Sequence, residues 1–250
     1  MGFREDGVQY VTKVAHTQKK NKIWPDIVNN SAKIIHLLDM CGHEKYLKTT
    51  MHGLTSLYPD YCLLVVGANM GISKMTKEHL GISWALNLPI VVVFTKIDLA
   101  PKEVYANNLK KIQGIIRTHL SKIPVAVKAM DDVEKLKDTV GNGQICPIFS
   151  CSSFTGEGID LLRRFMGLLP KSIVRTQNIS LAKPTDGVVQ TGDASGDPGV
   201  TDTEIRTQFI IDSRYQSKGV GLILGGTILK GTVKLDQVMM FGPDKNGNFR

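Results

Sequence analysis

The chain alternates short apolar runs with longer segments in which apolar residues recur every three or four positions. The runs predict buried strands and the periodic segments predict amphipathic helices. Strands are predicted at 34–38, 61–66, 89–94 and 145–149, and helices at 44–53, 76–87, 102–120 and after Thr155-Gly156-Glu157-Gly158. Apolar strands separated by helices favour an α/β fold with a parallel sheet covered on both faces.

The two ends of the chain differ from this α/β segment. Residues 1–31 are polar and rich in lysine, with an alternating strand predicted at 8–14. Residues 181–204 mix glycine, proline and small polar residues, which is typical of a flexible linker. Short strands follow at 208–211, 220–224, 231–235 and 238–241, with a turn at Asn246-Gly247. We expect an incomplete α/β domain over 32–180 and an all-β segment over 205–250.

The first set of candidate functional residues is Asp39-Met40-Cys41-Gly42-His43, at the end of a predicted strand. A carboxylate there can hold Mg²⁺ through water, because Mg²⁺ keeps much of its hydration shell. Gly42 would let a backbone N–H approach a γ-phosphate closely, and His43 could orient an attacking water. An isolated D-x-x-G also occurs in an ordinary strand followed by a turn, and that alternative stays open here.

The second set, Thr95-Lys96-Ile97-Asp98, follows the most β-branched strand of the chain. The Asp98 carboxylate matches the N1–H and N2–H₂ donors of guanine, and Lys96 could lay its methylene stem over the base. Adenine would leave that carboxylate unpaired, at a cost of about 1–3 kcal/mol. An equal alternative is that Asp98 caps the helix that begins near Pro101.

The third set, Ser150-Cys151-Ser152, follows the strand at 145–149. A backbone N–H at Cys151 could donate to guanine O6. Each of the three sets follows a predicted strand, and open parallel sheets bind ligands at the carboxyl ends of their strands. Their order along the chain therefore predicts a site for Mg²⁺, the γ-phosphate and the guanine base.

Charge and cysteine content narrow the class of protein. The net charge is +8 and the pI is about 9.3, which moderately favours acidic partners such as nucleotides or RNA. The four cysteines show no C-x-x-C spacing, as expected of reduced thiols. No apolar run approaches the roughly 18 residues of a membrane span, and the N-terminus has no apolar signal core. We expect a cytoplasmic protein without membrane or DNA partners.

Four stretches of this sequence resemble the GTP-binding protein 1/2 family, which belongs to the elongation-factor-Tu-like translational GTPases. They are 36–50, 75–81, 85–89 and 95–98. Residues 219–231 and 241–249 resemble the start of the second domain of that family, a β-barrel. The resemblance implies a P-loop-NTPase-type parallel sheet, GTP hydrolysis, GTP or GDP with Mg²⁺ as cofactors, and the ribosome or other RNA-containing machinery as a partner.

The same resemblance assigns a role to each residue of the three sets. Asp39 falls at the Mg²⁺ shell, Gly42 at the γ-phosphate and His43 at the catalytic water. At the base fall Thr95, Lys96, Asp98, Ser150, Cys151 and Ser152. Thr95 stands where the common pattern has asparagine, and the family's own Thr-Lys-Ile-Asp variant accounts for it.

The chain departs from the family at the phosphate-binding loop, because its sequence contains no G-x-x-x-x-G-K-[ST]. Gly2 and Gly7 have the glycine spacing, but Val8-Gln9 replaces the lysine and hydroxyl residues that bind phosphate and Mg²⁺. The strand before that loop is also missing, and no switch I threonine can be assigned. We therefore expect a piece of a larger GTPase.

Three functional hypotheses remain. The first is a translational GTPase that is active in the full family protein. The alternative is a non-catalytic module that binds guanine nucleotide, a protein or the ribosome. A basic RNA-binding module is a weaker third, because no aromatic stacking platform supports it.

Overall fold

The computed structural model describes residues 1–12, 23–57, 59–170 and 207–249. Two compact units divide between residues 182 and 183. In the first unit the elements are β1 (Gly2–Phe3), β2 (Gln9–Tyr10), α1 (Ile23–Asn29), β3 (Lys33–Ile34), α2 (Leu47–Ser56), β4 (Cys62–Gly67), α3 (Lys74–Ala85), β5 (Ile90–Thr95), α4 (Lys102–His119), β6 (Ile123–Ala126), α5 (Met130–Leu136), β7 (Ile145–Ser150) and α6 (Ile159–Leu168). The second unit contains β8 (Gln208–Ser217) and β9 (Gly221–Lys230).

The main sheet has four parallel strands in the order β4-β5-β7-β6, which confirms the predicted α/β fold. Gly67 pairs with Thr95, and Phe94 pairs with Ser150. The carboxyl ends of β4, β5 and β7 therefore lie side by side at one edge of the sheet.

Two apolar cores cover the two faces of this sheet. One contains Leu80 from α3 and Ile112 and Ile116 from α4, packed on residues of β4, β5 and β7. The other contains Val133 from α5 and Phe165 from α6. Within β5, the residues from Ile90 to Phe94 are all buried, and they point alternately into one core and the other. This double burial explains the unbroken apolar run in its sequence.

The sequence patterns locate most helices to within a few residues. α3 begins two residues before its predicted start, because Ser73 and Thr76 form a reciprocal capping box. The predicted helix 44–53 is a single 3₁₀ turn, Glu44–Tyr46, followed by α2. β6 and α5 were not predicted, since β6 has four residues and contains Pro124, and α5 has seven. Proline is tolerated there because β6 lies at the edge of the sheet.

The predicted parallel strand at 34–38 is wrong. Only Lys33–Ile34 is a strand, and it pairs antiparallel with β1 in a separate small sheet of order β2-β1-β3. Lys33 Nζ donates to the backbone carbonyls of Met166 and Gly167 on α6, at 2.9 and 3.0 Å. An apolar run does not specify which strand it will pair with. Here the pairing strand is β1, which contains the fully buried Phe3.

The outer side of β4 pairs with no strand among the residues that the structure describes. Leu63 and Val65 on that strand are 41% and 58% exposed. They point away from Leu64 and Val66, which are buried in the core beneath α3 and α4.

The second unit, considered by itself, is an antiparallel hairpin of β8 and β9. The predicted strands 208–211 and 220–224 fall within this hairpin, apart from Val220, which belongs to its turn. The strands predicted at 231–235 and 238–241 are wrong, because those residues have no regular pairing. The turn at Asn246-Gly247 is present, with Gly247 at a φ of 84°. The linker predicted at 181–204 lies outside the described residues.

None of the helices in the described ranges is both long and apolar enough to cross a bilayer.

Candidate functional site

The loops after β4, β5 and β7 form the carboxyl edge of the sheet. The Ala68 amide donates to the Thr95 carbonyl at 2.8 Å, and the Cys151 amide donates to the Phe94 carbonyl at 2.7 Å. These bonds fix the loop after β5 between its two neighbours. Two of the three predicted sets, 95–98 and 150–152, are thereby brought together as the sequence predicted.

The loop 95–98 is a tight turn that presents two charged side chains. Lys96 lies in the left-handed region at a φ of 58°, and its carbonyl accepts a hydrogen bond from the Leu99 amide at 3.1 Å. Lys96 and Asp98 are both exposed, whereas Thr95 is half-buried at the end of β5.

The alternative in which Asp98 caps the following helix is wrong. The N-cap of α4 is Pro101, and no side chain makes a capping hydrogen bond there. None of the described residues makes a hydrogen bond or an ion pair with the Asp98 carboxylate. Among the described residues, this carboxylate therefore has no partner that uses its acceptor capacity.

Most hydrogen-bonding groups of the loop 150–152 already have partners within the protein. Cys151 and Ser152 are 2% and 0% exposed, and burial raises the pKa of the Cys151 thiol. Since the Cys151 amide already donates to the Phe94 carbonyl, it does not match the predicted contact with guanine O6. Ser152 organises the loop instead, because its hydroxyl accepts from the amides of Phe154 and Thr155 at 3.2 and 3.1 Å.

The first accessible residues after β7 are Ser153 and Phe154, which the sequence reasoning missed. Ser153 is exposed, and its amide donates no hydrogen bond to any residue within the described ranges. Phe154 is 91% exposed, which is unusual for a side chain of this size. The turn sequence Thr155-Gly156-Glu157-Gly158 could have indicated Ser153 and Phe154, because the residues just before such a turn are the exposed part of the loop.

Two polar side chains on α4, the half-buried Tyr105 and the buried Asn108, support this edge. The Tyr105 hydroxyl lies 2.5 Å from Ser150 Oγ, and its ring packs edge-on against Phe94 at 5.7 Å between centroids. The buried Asn108 donates from Nδ2 to the Ala68 carbonyl at 3.1 Å. α4 therefore holds the ends of β4 and β7 on either side of the loop 95–98.

The third set, Asp39 to His43, does not follow a parallel strand, because β3 belongs to the small antiparallel sheet. This segment is held against α2 instead. The Thr50 hydroxyl donates to the Cys41 carbonyl at 2.8 Å, and the Met40 side chain packs against Gly53. Asp39, Gly42 and His43 are all exposed.

The geometry of His43 favours one tautomer. Its Nδ1 accepts a hydrogen bond from the Lys45 amide at 3.1 Å, so the proton of the neutral ring is assigned to Nε2. A Cβ added to Gly42 would meet no atom within 4 Å. The packing of the chain itself therefore does not require glycine at position 42.

Gly2 and Gly7 do not form a phosphate-binding loop. Gly2 is part of β1, and Gly7 lies at a φ of 75° in the β1–β2 turn, where its Cα faces Leu168 of α6. The described residues also contain no group of three or more His, Cys, Asp or Glu side chains placed to hold a metal ion.

Comparison with known proteins identifies the family to which the chain is similar. The sequence profile of the elongation factor Tu GTP binding domain matches residues 4–171. GTP-binding protein 1 of Xenopus laevis is 41% identical over 228 residues, which cover 90% of this chain and 31% of that protein. GTP-binding protein 2 of Homo sapiens is 33% identical over 226 residues, which cover 90% of this chain and 34% of that protein.

Among solved structures, translation elongation factor SelB from Methanococcus maripaludis, in complex with the GTP analogue GPPNHP, matches with a TM-score of 0.47. It is 23% identical, and the match covers 79% of this chain and 34% of that one. The predicted similarity to GTP-binding proteins 1 and 2 is confirmed, and the chain spans about a third of the length of these relatives.

Proposed function

This chain belongs to the elongation factor Tu GTP-binding domain family, and from that premise we propose that it recognises the base of a guanine nucleotide at the carboxyl edge of its sheet. The observation that carries the proposal is the exposed Asp98 carboxylate, which has no hydrogen bond or ion pair among the described residues. A carboxylate held at a strand end without a structural partner suits a ligand with two adjacent N–H donors.

The base contacts follow from the loops on either side of Asp98. Asp98 accepts from N1–H and N2–H₂ of guanine, and the methylene stem of Lys96 covers one face of the ring. The O6 donor is the Ser153 amide, in place of the engaged Cys151 amide. The exposed Phe154 ring lies next to that donor in the chain and can pack against the base.

The contacts at the phosphates fall to the loop that follows β3. In the full family protein, the oxygen of a water attacks the γ-phosphorus, the bond to the bridging oxygen breaks, and a proton of the water passes to an oxygen of the γ-phosphate, which yields GDP and phosphate. The Gly42 amide can approach a γ-phosphate oxygen, because nothing crowds that position. His43, with its proton on Nε2, donates to the water or to a phosphate oxygen and so orients the attack without removing a proton.

The loop that follows β3 provides one part of a Mg²⁺ site. Asp39 is a single exposed carboxylate, which suffices because Mg²⁺ takes most of its ligands from water and substrate phosphates. Asp39 would hold the ion through water, and the ion would neutralise charge on the phosphates.

A second candidate function is a non-catalytic guanine-nucleotide-binding module. It is favoured by the absence of G-x-x-x-x-G-K-[ST] from the sequence, since that loop supplies most phosphate donors. We expect this chain by itself to bind GTP weakly and to hydrolyse it negligibly, as measured with radiolabelled GTP. Turnover at the level of an intact translational GTPase would exclude this second function.

The ribosome or other RNA-containing machinery is the proposed partner, and the cytoplasm is the proposed location. Both proposals rest on membership of the elongation factor Tu GTP-binding domain family, and the net charge of +8 favours an RNA-containing partner. Salt-sensitive sedimentation with ribosomes would support them.

The base assignment is tested by Asp98→Asn. Loss of charge-assisted hydrogen bonds worth about 1.5–3 kcal/mol weakens GDP binding by roughly 10- to 150-fold. The asparagine amide can donate to O2 of xanthine, so xanthosine diphosphate should bind the variant better than GDP does. Titration calorimetry with both nucleotides measures this exchange of preference.

The matched control is Asp138→Asn, which removes an exposed carboxylate that follows α5. It should leave the affinity for both nucleotides unchanged. If Asp98→Asn keeps the preference for guanine, then Asp98 does not contact the base and the proposed function fails.

A further inference from the structure

A groove of about 440 Å³ lies between α3 and α4, away from the carboxyl edge of the sheet. We call it the α3–α4 groove and define it by Lys77, Leu80, Trp84, Ile115, His119 and Leu120. Leu80 and Leu120 are buried and form its floor, whereas Trp84 is 48% exposed. The nucleotide contacts proposed above use none of these residues.

The lining of the α3–α4 groove suits an apolar side chain of a partner. Trp84 keeps about half of its surface in water, although aromatic side chains contribute most when they are buried. The groove offers only two ionisable groups, Lys77 and His119, among apolar neighbours. Small-molecule sites usually hold several convergent polar groups, so this lining favours a peptide lying along the two helices.

The charge around the groove identifies the kind of peptide. α3 and α4 carry six lysine and arginine residues against two glutamates. At 3.6 residues per turn, Glu78 lies about 160° around α3 from Leu80 but about 60° from Gly81, which also lines the groove. Glu103 lies about 120° around α4 from Ile115. Lys111 is exposed and precedes Ile115 by one turn on the same side of α4. The groove is therefore bordered by Lys77, Lys111 and His119, with Glu78 at its rim beside Gly81, so basic side chains outnumber acidic ones around it.

We propose that the α3–α4 groove binds an acidic amphipathic segment of a partner protein. Apolar side chains of that segment, spaced for a helix, pack on Trp84 and Ile115. Its carboxylates face Lys77 and Lys111, where charge complementarity speeds association and excludes basic segments. This docking site is separate from the proposed nucleotide site, so it is tested without nucleotide.

The test uses the full chain and two synthetic peptides of about four helical turns. Both peptides carry leucine and phenylalanine at helical spacing, with glutamate in one and lysine in the other at the intervening positions. We expect saturable binding of the glutamate peptide, measured by fluorescence anisotropy, with a blue shift of tryptophan emission. The lysine peptide should bind at least about tenfold more weakly.

Two pairs of variants locate the site. Trp84→Ala should weaken binding of the glutamate peptide about tenfold or more, while Trp24→Ala, at the other tryptophan, 52% exposed, should not. Lys77→Glu should weaken it as well, whereas Lys110→Glu should not, because Lys110 lies about 140° around α4 from Ile115. A benzophenone-bearing glutamate peptide should cross-link to α3 or α4 of the unsubstituted chain, which keeps the test independent of variant folding.

Several results would overturn the proposal. Equal binding of both peptides would show that charge does not select the partner. Equal effects of Trp84→Ala and Trp24→Ala would show that the peptide does not bind in the α3–α4 groove. Cross-links confined to other elements would do the same. Self-association that Trp84→Ala abolishes, or displacement of the peptide by an RNA oligonucleotide at stoichiometric concentration, would assign the groove to a second copy or to RNA instead.

Discussion

The connection between β7 and α6 contains two left-handed glycines that differ in one respect. Gly158 has a φ of 73°, and a Cβ built there would lie 2.0 Å from the Ser150 carbonyl oxygen. Gly156 has a φ of 83°, and a Cβ there would meet no atom within 4 Å. Alanine at the two positions therefore separates backbone strain from a steric clash with the end of β7.

The expected costs follow from this geometry. Gly156→Ala incurs only the left-handed conformation of a residue with a Cβ, about 1–2 kcal/mol. Gly158→Ala incurs the same strain, and it must also move the loop by roughly 1.3 Å to restore ordinary contact near 3.3 Å. That movement strains the bond from Leu162 N to Gly158 O. We expect a total loss of about 3–5 kcal/mol in the free energy of unfolding, within the range of severe point mutations.

The assay is urea unfolding followed by tryptophan fluorescence, since Trp24 and Trp84 both belong to the first unit. Gly158→Ala should lower the midpoint at least twice as far as Gly156→Ala at an unchanged slope. Equal midpoints for the two variants would refute the close approach to Ser150. The same loop carries Ser153 and Phe154, so Gly158→Ala should also weaken GDP binding.

Two further predictions concern the half-buried Tyr105 and the buried Cys146, at the two ends of the sheet. Tyr105→Phe removes the hydroxyl that lies 2.5 Å from Ser150 Oγ, and it should lower the free energy of unfolding in urea by about 1 kcal/mol; an unchanged midpoint would show that this contact stabilises nothing. Burial raises the pKa of Cys146 to about 12, so the folded chain keeps its proton while the unfolded thiol ionises near 8.5. The free energy of unfolding should therefore fall as pH rises above about 8.5. In the unsubstituted chain this fall should be steeper than in Cys146→Ala, by up to about 1.4 kcal/mol per pH unit. Urea midpoints at pH 8 and pH 10 measure the difference, and parallel curves for the two chains would contradict it.

The candidate site was predictable where chemistry and strand ends coincide in the sequence. The β-branched run 89–94 could only be a buried strand, so Thr95-Lys96-Ile97-Asp98 had to begin at its carboxyl end. The sequence left two roles for Asp98 open, because a helix cap and a base contact need the same residue type. The geometry excludes the cap, since α4 begins after Pro101.

The loop after β7 shows why the remaining contacts were not predictable. Nothing in Ser150-Cys151-Ser152 indicates that the Cys151 amide pairs with the Phe94 carbonyl, because that bond depends on the register of β7 against β5. The same register moves the accessible positions two residues onward, to Ser153 and Phe154. Which amide faces a ligand is a tertiary property of the neighbouring strand.

The α/β class, the order of the candidate loops and the lack of a phosphate-binding motif all follow from the amino-acid pattern alone. Periodicity and motif spacing are local properties that need no knowledge of distant contacts. The antiparallel pairing of β3 with β1, and the groove that α3 and α4 leave beside Trp84, emerge only when the chain is folded. Pairing and grooves depend on which residues, far apart in the chain, compete for the same surface, and no local pattern encodes the outcome of that competition.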